Sequence, residues 1–161
     1  MRAEQKNGKA YSGNDSSTLQ DNFREKVKNY IVFLSILAVI ISLVAIRGGY
    51  ILAPPYAVSA YLVVFQRNTK YSSRQCLIAT YTFVILSSDI FHFLLGESLF
   101  GMILNVLIVS AFVTFTDLTH PPAIALTIFS YIAGDPLDFT ISSGLSLLAL
   151  FAASLIIEKY D

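Results

Sequence analysis

The stretch DLTHPPAIAL, residues 117–126, interrupts an otherwise almost unbroken apolar chain with an aspartate, a histidine and two consecutive prolines. Proline has no backbone N–H and disfavours the helical conformation in the residue before it, so we expect no continuous helix through this stretch. A second pair, Pro54-Pro55, lies in an earlier apolar segment. Two such interruptions, each between long apolar runs, decide the fold that the sequence predicts.

The composition indicates the class of protein. The chain has 55% hydrophobic and 14% charged residues, with a mean hydropathy of +0.63, whereas soluble domains carry about 25% charged residues. Apolar runs of about 17 to 21 residues separate the charged clusters, which is the length needed to cross a hydrocarbon core of roughly 30 Å. We therefore expect an integral membrane protein with the lipid bilayer as a partner, in the plasma membrane of a prokaryote.

Several other classes of function are disfavoured by the same counts. The net charge of zero gives no electrostatic footprint for nucleic acid. The single cysteine, Cys76, excludes an internal disulfide and is interpreted as a packing residue. With two histidines and no His-Glu-x-x-His motif, we expect neither a metal site nor a cofactor.

The chain divides into a polar tail and an apolar domain. Residues 1–29 are predicted to be a disordered cytoplasmic tail, because the first twenty are rich in Ser, Asn, Gly and Lys. Residues 30–157 form the predicted transmembrane domain, whose apolar segments are 30–46, 50–66, 75–95, 98–116, 122–133 and 139–157. The fifth segment is too short to cross alone, and GDPLD, residues 134–138, is predicted to be a turn.

The basic residues predict the orientation, because cytoplasmic loops contain an excess of Lys and Arg. One basic cluster, residues 24–28, precedes the first segment, and another forms the loop 67–74. Both are cytoplasmic if the chain crosses twice between them, which gives six crossings with both termini in the cytoplasm. The alternative has four full spans, makes segments two and five re-entrant half-helices, and places loop 67–74 outside.

The two proline pairs also suggest an internal repeat. AVSAYLVVF, residues 57–65, follows the first pair, and AIALTIFSY, residues 123–131, follows the second. The chain then consists of two repeat units, each with a span, a broken span and a second span. Because each unit crosses the membrane three times, the second unit is inverted relative to the first. Many secondary transporters are built in this way. The predicted fold class is an all-α polytopic transmembrane bundle with two Pro-Pro-broken helices and an inverted repeat.

The prolines also predict a polar point inside the bundle. We expect extended backbone up to the first proline of each pair, at Ala53, Pro54, His120 and Pro121, and short helices that begin at Pro55 and Pro122. The free N–H groups and the dipole of such helix starts attract anions. We expect the two starts to meet near the bilayer midplane and to line a substrate path. The predicted path residues are Pro54, Pro55, Tyr56, Ser59, His120, Pro121, Pro122 and Ala123. The alternative places His120 at the membrane surface, hydrogen-bonded to a carbonyl or to water.

Two ionisable residues lie within the third segment. Asp89 and His92 are three residues apart and share a helix face. Ionisable groups at membrane depth usually face a cavity or a partner, so these two are candidates for a proton relay or gate. The alternative is a structural pair near the outer surface. Asn105, and the small residues Ser142, Ser143, Gly144 and Ser146, are interpreted as helix-packing contacts.

The string His120-Pro121-Pro122-Ala123 after a long apolar span resembles the signature of the HPP family of integral membrane proteins. Residues 53–60, APPYAVSA, are similar to the Ala-Pro-Phe-Gly-Ala-Ser-Ala of that family, and Arg74-Gln75 is similar to its Arg-Asn. The resemblance covers roughly residues 30–157. The chain departs from the family where Ile78-Ala79-Thr80 replaces Gly-Gly-His and where Ile124 replaces the glycine that follows the signature. Plant members are implicated in nitrite transport, and the family is usually described with four spans.

We therefore expect a transporter or channel for a small inorganic anion such as nitrite. If His120 acts as a cation, transport rises as the pH falls. We expect no catalytic residues, because no sequence motif places a nucleophile beside either histidine. A non-transporting scaffold or receptor is the main alternative, and an intramembrane enzyme is a further one. The oligomeric state stays open, a homo-oligomer included.

Overall fold

The computed structural model describes residues 15–46 and 52–159, and all regular secondary structure in them is helical. This confirms the predicted all-α class. The helices are α1 (Asp15–Ile46), α2 (Ala53–Phe65), α3 (Arg74–Leu95), α4 (Leu99–Phe115), α5 (Pro122–Ile132) and α6 (Pro136–Lys159), with a 3₁₀ turn at Lys70–Ser72.

Among the described helices, three are long and apolar enough to cross a membrane. They are Leu19–Ile46 within α1, and the whole of α3 and α6. Large apolar side chains cover the outside of the bundle, with Phe93 89% exposed and Phe115 87% exposed. An apolar surface of this extent is unfavourable in water and matches contact with lipid tails. The chain is therefore a membrane protein by helix length, composition and surface.

The start of α1 corrects one prediction. The helix begins at Asp15, so residues 15–29 are helical where the sequence predicts a disordered tail. The polar segment is continuous with the apolar helix that follows, and a helix that has already formed propagates at little cost per residue. Residues 1–14 and 47–51, which include the first residues of the predicted second segment, lie outside the described part.

At the start of three helices, a short polar side chain accepts a hydrogen bond from a backbone N–H group of the first turn. Ser73 Oγ accepts a hydrogen bond from the N–H of Cys76 at the start of α3, and Ser98 Oγ accepts one from Gly101 at the start of α4. Asp135 Oδ1 accepts from the N–H of Leu137, so Asp135 and Pro136 start α6. The predicted turn 134–138 is therefore too long, because Asp followed by Pro is also a favoured helix start.

The prolines lie in helix starts, although the backbone before them differs from the prediction. Pro122 is the first residue of α5, as predicted, but α2 begins at Ala53, two residues before Pro55. Pro121 is helical, with φ −55° and ψ −33°, and Ala53 and Pro54 belong to the first turn of α2. The prediction of extended backbone at these three residues was therefore wrong. Proline's fixed φ suits the first turn of a helix, where no preceding turn exists for its ring to meet.

Four helices form a closed ring around the centre of the bundle. Helix α2 packs against α5, α5 against α3, α3 against α6, and α6 against α2. Helix α1 lies outside the ring against α2 and α6, and α4 lies outside it against α3 and α5. The ring encloses the largest buried side chains, which include Tyr56, Tyr81, Phe139 and His120.

Successive helices run in opposite directions between two ends of the bundle. At the end that we call the loop end, Arg67 Nη2 donates to Asn29 Oδ1 of α1 at 2.9 Å, and Arg74 pairs with Glu158 of α6 at 2.6 Å. At the opposite end, which we call the far end, Thr140 donates to Asp89 at 2.6 Å. The segment before α1's apolar part and the loop 67–74 therefore lie at the same end.

Candidate functional site: a buried polar network

His120 lies outside any helix, between α4 and α5, and its side chain is fully buried. Its Nδ1 is 2.7 Å from the backbone carbonyl oxygen of Tyr71. A carbonyl can only accept, so Nδ1 carries the hydrogen. Its Nε2 is 2.9 Å from Ser59 Oγ, and in the neutral ring this nitrogen accepts from the Ser59 hydroxyl. The histidine thereby joins the middle of α2 to the 3₁₀ turn.

Two tyrosines extend this network. The Tyr81 hydroxyl is 2.5 Å from Ser59 Oγ and 3.3 Å from the carbonyl oxygen of Pro55. The Tyr81 ring stacks on Tyr56 at 5.1 Å and meets His120 edge-on at 5.1 Å. The Tyr56 hydroxyl donates to the carbonyl oxygen of Ser143 at 3.2 Å. Side chains of α2 and α3, with the backbone of α6, therefore enclose the histidine at the start of α5.

The chain before His120 is tied to the first turns of α3. Thr80 Oγ1 donates to the carbonyl oxygen of Leu118 at 3.0 Å, and Cys76 Sγ donates to that of Asp117 at 3.7 Å. These bonds satisfy carbonyls that no helix uses, which is a requirement for non-helical backbone inside a membrane protein. Cys76 is a buried packing residue, as predicted, and it also donates this hydrogen bond.

The network lies nearer the loop end than the middle of the bundle. Tyr81 is seven residues from the start of α3, which corresponds to roughly 10 Å along a helix of about 33 Å. His120 is therefore an interior residue, and the alternative that placed it at the membrane surface does not hold. The same alternative expected a hydrogen bond to a carbonyl, and the Tyr71 carbonyl provides it. The start of α5 and the second turn of α2 meet at this level, about a third of the way along α3.

The predicted path residues fall into two groups. Pro55, Tyr56, Ser59, His120, Pro122 and Ala123 are buried together around the network. Pro54 and Pro121 are exposed on the outside of the bundle. Adjacent residues of a helix point in different directions, so only one proline of each pair faces the ring.

A second polar cluster lies towards the far end. Asn105 Nδ2 of α4 donates to Ser88 Oγ of α3 at 3.1 Å, and Ser130 Oγ of α5 donates to the same oxygen at 3.2 Å. Asn105 therefore links neighbouring helices, as the sequence predicts. The His92 ring lies 4.2 Å from the Tyr131 ring. Both nitrogens of His92, the amide oxygen of Asn105 and the hydroxyl of Tyr131 are buried without a hydrogen-bond partner.

Asp89 and His92 have different neighbours despite their shared helix and close spacing. Asp89 accepts from Thr140 of α6, whereas His92 contacts Tyr131 of α5. The two side chains thus pack against opposite neighbours of α3. Asp89 joins α3 to α6 and has a structural role. His92, the other candidate gate residue, belongs to the far cluster, which is the group of Ser88, Asn105, Ser130, Tyr131 and His92 with its unpartnered polar atoms.

Helix α6 adds three hydroxyls to the ring interior. Ser142, Ser143 and Ser146 are fully buried, and none of their Oγ atoms has a hydrogen-bond partner. We use the term polar seam for the His120 network, the far cluster and these serines together. Within the described residues, no hydrogen bond joins the His120 network to the far cluster, and the buried Val84 lies between them along α3. The seam follows α3 from Thr80 to His92, which is roughly 18 Å.

Sequence reasoning missed Thr80, Tyr81 and the carbonyl of Tyr71. Tyr81, Ser88 and His92 are spaced by seven and four residues, so they share one face of a helix. This pattern marks a polar face on α3 and is visible in the sequence. The Tyr71 carbonyl carries no sequence signal, since every residue has one. In the described chain, no three His, Cys, Asp or Glu side chains are grouped as metal ligands.

Comparison with known proteins gives no further assignment. No family model matches the chain, and neither the curated proteins nor the solved structures contain a significant match.

Proposed function

We propose that the protein is a membrane transporter or channel that passes a small inorganic anion, nitrite or an anion like it, along the polar seam. The observation that carries this proposal is the fully buried network of His120, Ser59 and Tyr81 where the start of α5 meets α2. Buried polar groups cost free energy. Inside membranes, ionisable ones usually mark the path of a substrate or an ion.

The chemistry of the seam suits weak binding. Its described side chains are hydroxyls, one amide and two imidazoles, with no Lys or Arg among them. Hydroxyl groups and the positive dipole ends of α2 and α5 offer partial positive charge. The first N–H groups of α5, those of Ala123 and Ile124, bond the carbonyl oxygens of His120 and Pro121, each at 3.1 Å. An anion that meets several weak donors in succession can both enter and leave, which conduction requires.

The network can accept a proton without moving its heavy atoms. If Nε2 of His120 is protonated, Ser59 Oγ accepts from it and turns its own hydrogen to the Pro55 carbonyl, which lies 3.1 Å away. Tyr81 still donates to Ser59. The neutral and cationic forms of His120 therefore both satisfy every partner, and the cationic form supplies a charge beside the start of α5 and the second turn of α2.

The packing of the helices supports an inverted repeat of α1–α3 and α4–α6. If each helix is exchanged for its counterpart, α1 with α4, α2 with α5 and α3 with α6, the set of contacting helix pairs is unchanged. The pair α1 and α2 becomes α4 and α5, and the pair α1 and α6 becomes α4 and α3. Helices α2 and α5, which begin with the proline pairs, are exchanged with each other and are in direct contact. Transporters with inverted repeats place their substrate between such helices.

We further propose that all six helices cross the bilayer of a prokaryotic plasma membrane and that the loop end is cytoplasmic. The loop end contains loop 67–74 with Arg67, Lys70 and Arg74, together with Asn29 just after the other basic cluster. The resemblance of His120-Pro121-Pro122-Ala123 to the HPP signature supports membership of that family.

Flux of nitrite into proteoliposomes that contain the purified protein tests the proposal. We expect flux in the wild type that rises as the pH falls, because protonation of His120 adds a positive charge to the path. His120→Ala is expected to flatten that dependence, whereas Thr82→Ala, on the exposed side of α3, leaves it unchanged. An unchanged flux and pH profile in His120→Ala would remove His120 from the path. No flux of any small anion in the wild type would favour a scaffold or receptor.

One observation favours a second function. Ser59 and His120 are within hydrogen-bonding distance, and the Tyr71 carbonyl orients the imidazole, which is the arrangement of a serine nucleophile with its base. An intramembrane hydrolase would use this pair. A fluorophosphonate probe that labels the wild type but not Ser59→Ala would support the hydrolase, and absence of labelling in an active transporter would exclude it.

A further inference from the structure

Helix α5 has a buried histidine at each end, and the dipole of the helix gives the two ends opposite sign. His120 precedes its first residue, whereas His92 of α3 contacts Tyr131 in its last turn. A helix dipole is positive at the N-terminus and negative at the C-terminus, so the first end favours an anion and the second favours a cation. We propose that His92 binds a proton from the far end and that this proton is transported together with the anion. The inference rests on the proposed function for the anion and adds a coupling ion to it.

The far cluster surrounds His92 with acceptor oxygens. Both nitrogens of His92, the amide oxygen of Asn105 and the hydroxyl of Tyr131 are buried without a hydrogen-bond partner. His92 interacts with the backbone of Ser130, which lies in the last turn of α5, where carbonyl oxygens have no partner within the helix. The Tyr131 hydroxyl interacts with the Asn105 side chain, also without hydrogen-bond geometry. A neutral imidazole has one N–H donor and a protonated one has two. Protonation of His92 therefore supplies a second donor where acceptors are in excess.

The charges around His92 also favour a proton. The carboxylates of Asp89 and Glu97 are close enough to attract a positive charge on the imidazole. His92 is itself in the last turn of α3, so the negative dipole ends of α3 and α5 both lie beside its ring. Helix α4, which contributes Asn105, contains no charged residue. The described residues of the far end include no Lys or Arg, and Arg47 lies outside them. The other acidic residues of that end are Asp135 and Asp138.

A proton at His92 balances the charge of a transported anion. The described side chains of the polar seam include no Lys or Arg, so an anion that enters alone brings an unbalanced charge into the interior, which is costly. Helix α5 has 11 residues and separates the two ends by roughly 16 Å. In the transport cycle, the free lone pair of one His92 nitrogen takes a proton from water at the far end. The imidazolium returns this proton to water on the other side of the membrane when the anion leaves.

NMR of the purified protein in detergent tests the proton site without transport, because nitrogen-15 labelling of the two histidines reports on both imidazoles. We expect His92 to become protonated on both nitrogens as the pH falls from about 8 to about 5. Glu97→Gln should lower the proton affinity of His92 by about twofold or more, since it removes an exposed carboxylate near the ring. Asp117→Asn is the matched control, because it removes an exposed carboxylate at the loop end and should leave His92 unchanged. A His92 ring that stays neutral at roughly pH 5 would overturn the proton site.

Nitrite accumulation in proteoliposomes tests the coupling, with protein-free vesicles as the background for unaided passage of nitrous acid. In the wild type, we expect an inward proton gradient to drive nitrite inward against its own gradient, with one proton entering for each nitrite. His92→Gln keeps a donor and an acceptor but does not titrate, so it should abolish accumulation while downhill flux remains. Size-exclusion chromatography and the His120 signal check that each variant is folded.

The outcomes separate the coupling from anion transport itself. Equal accumulation in His92→Gln and the wild type would overturn the inference, and so would accumulation that follows a sodium gradient instead of a proton gradient. Downhill nitrite flux that no proton gradient affects would overturn the coupling and leave the proposed function standing. Protonation of His92 without any nitrite flux would refute anion transport and leave His92 as a proton site.

Discussion

At the scale of single residues, the His120 side chain is held by one acceptor and one hydroxyl, with no exposed surface. The Tyr71 carbonyl oxygen accepts a hydrogen bond, so the hydrogen of the neutral imidazole is on Nδ1. Nε2 is then an acceptor, and the Ser59 hydroxyl donates to it. A charge in such a site is costly unless hydrogen bonds and a counter-ion accompany it. The neutral form of His120 therefore fits this site without a counter-ion, whereas the cationic form requires one.

The role of Ser59 can be tested by stability. Ser59→Ala leaves Nε2 of His120 buried without a donor, and an unsatisfied buried group costs about 1–3 kcal/mol. We expect the free energy of unfolding in detergent to fall by that amount. Ser35→Ala is the control, because Ser35 is exposed on α1 and bonds only the carbonyl of its own preceding turn. A loss in Ser59→Ala no larger than that in Ser35→Ala would show that the hydrogen bond to His120 does not stabilise the fold.

At the scale of helices, the two shortest ones, α2 and α5, form one of the four contacts of the ring. Each has proline in its first turn, where the missing N–H costs nothing, and each turns one of the two prolines inward. Short helices leave room for non-helical chain beside them. His120 lies in such chain, between α4 and α5, and this places an imidazole inside the ring without interrupting a hydrogen-bonded helix.

The helix ends give a second stability prediction. Gly96 ends α3 with φ 63° and ψ −166°, a conformation that residues with a Cβ rarely adopt. Gly96→Ala is expected to destabilise the protein by about 1–3 kcal/mol through backbone strain alone. Gly144→Ala is the matched control, since Gly144 is inside α6 and an added Cβ meets no atom within 4 Å. That control should be neutral or stabilising by up to about 1 kcal/mol.

Thermal or denaturant unfolding in the same detergent measures both variants. Equal stability of Gly96→Ala and the wild type would mean that the connection between α3 and α4 readily adopts another conformation.

At the scale of the whole molecule, the alternating directions of six helices place three parts of the chain at the loop end. Asn29 bonds Arg67, and Arg74 pairs with Glu158, so the start of the apolar part of α1, the loop 67–74 and the end of α6 lie together. This arrangement is the one that six crossings require. It also places Arg67 and Arg74 in the lining of one cavity.

Cysteine accessibility in a Cys76→Ala background tests this topology. Cysteines in place of Lys26 and Lys70, both exposed, are expected to react with an impermeant reagent from one side of the membrane. Cysteines in place of Glu97 and Asp135, exposed at the far end, are expected to react from the other side. Labelling of the Lys26 and Lys70 positions from opposite sides would establish the four-span alternative with re-entrant segments.

The sequence by itself predicted the all-α class, the membrane environment and the approximate bounds of the described helices, apart from the start of α1. These follow from local properties, since the length and hydropathy of an apolar run are set by consecutive residues. The start of α5 at Pro122 was also predicted. The backbone before the prolines was not, because proline suits a helical first turn as well as an extended approach.

Only the tertiary structure decided which polar groups meet. Ser59, Tyr81 and His120 are separated by 22 and 39 residues in the chain, and the packing of α2, α3 and α5 brings them within hydrogen-bonding distance. Asp89 and His92 were expected to act together from their spacing, yet α6 and α5 supply them with different partners. A residue's spacing along one helix fixes its face, whereas its hydrogen-bond partner depends on which neighbouring helix covers that face. For this reason the sequence offered candidate residues only near the prolines, and the structure added Tyr81, the Tyr71 carbonyl and the cavity that Arg67 and Arg74 line.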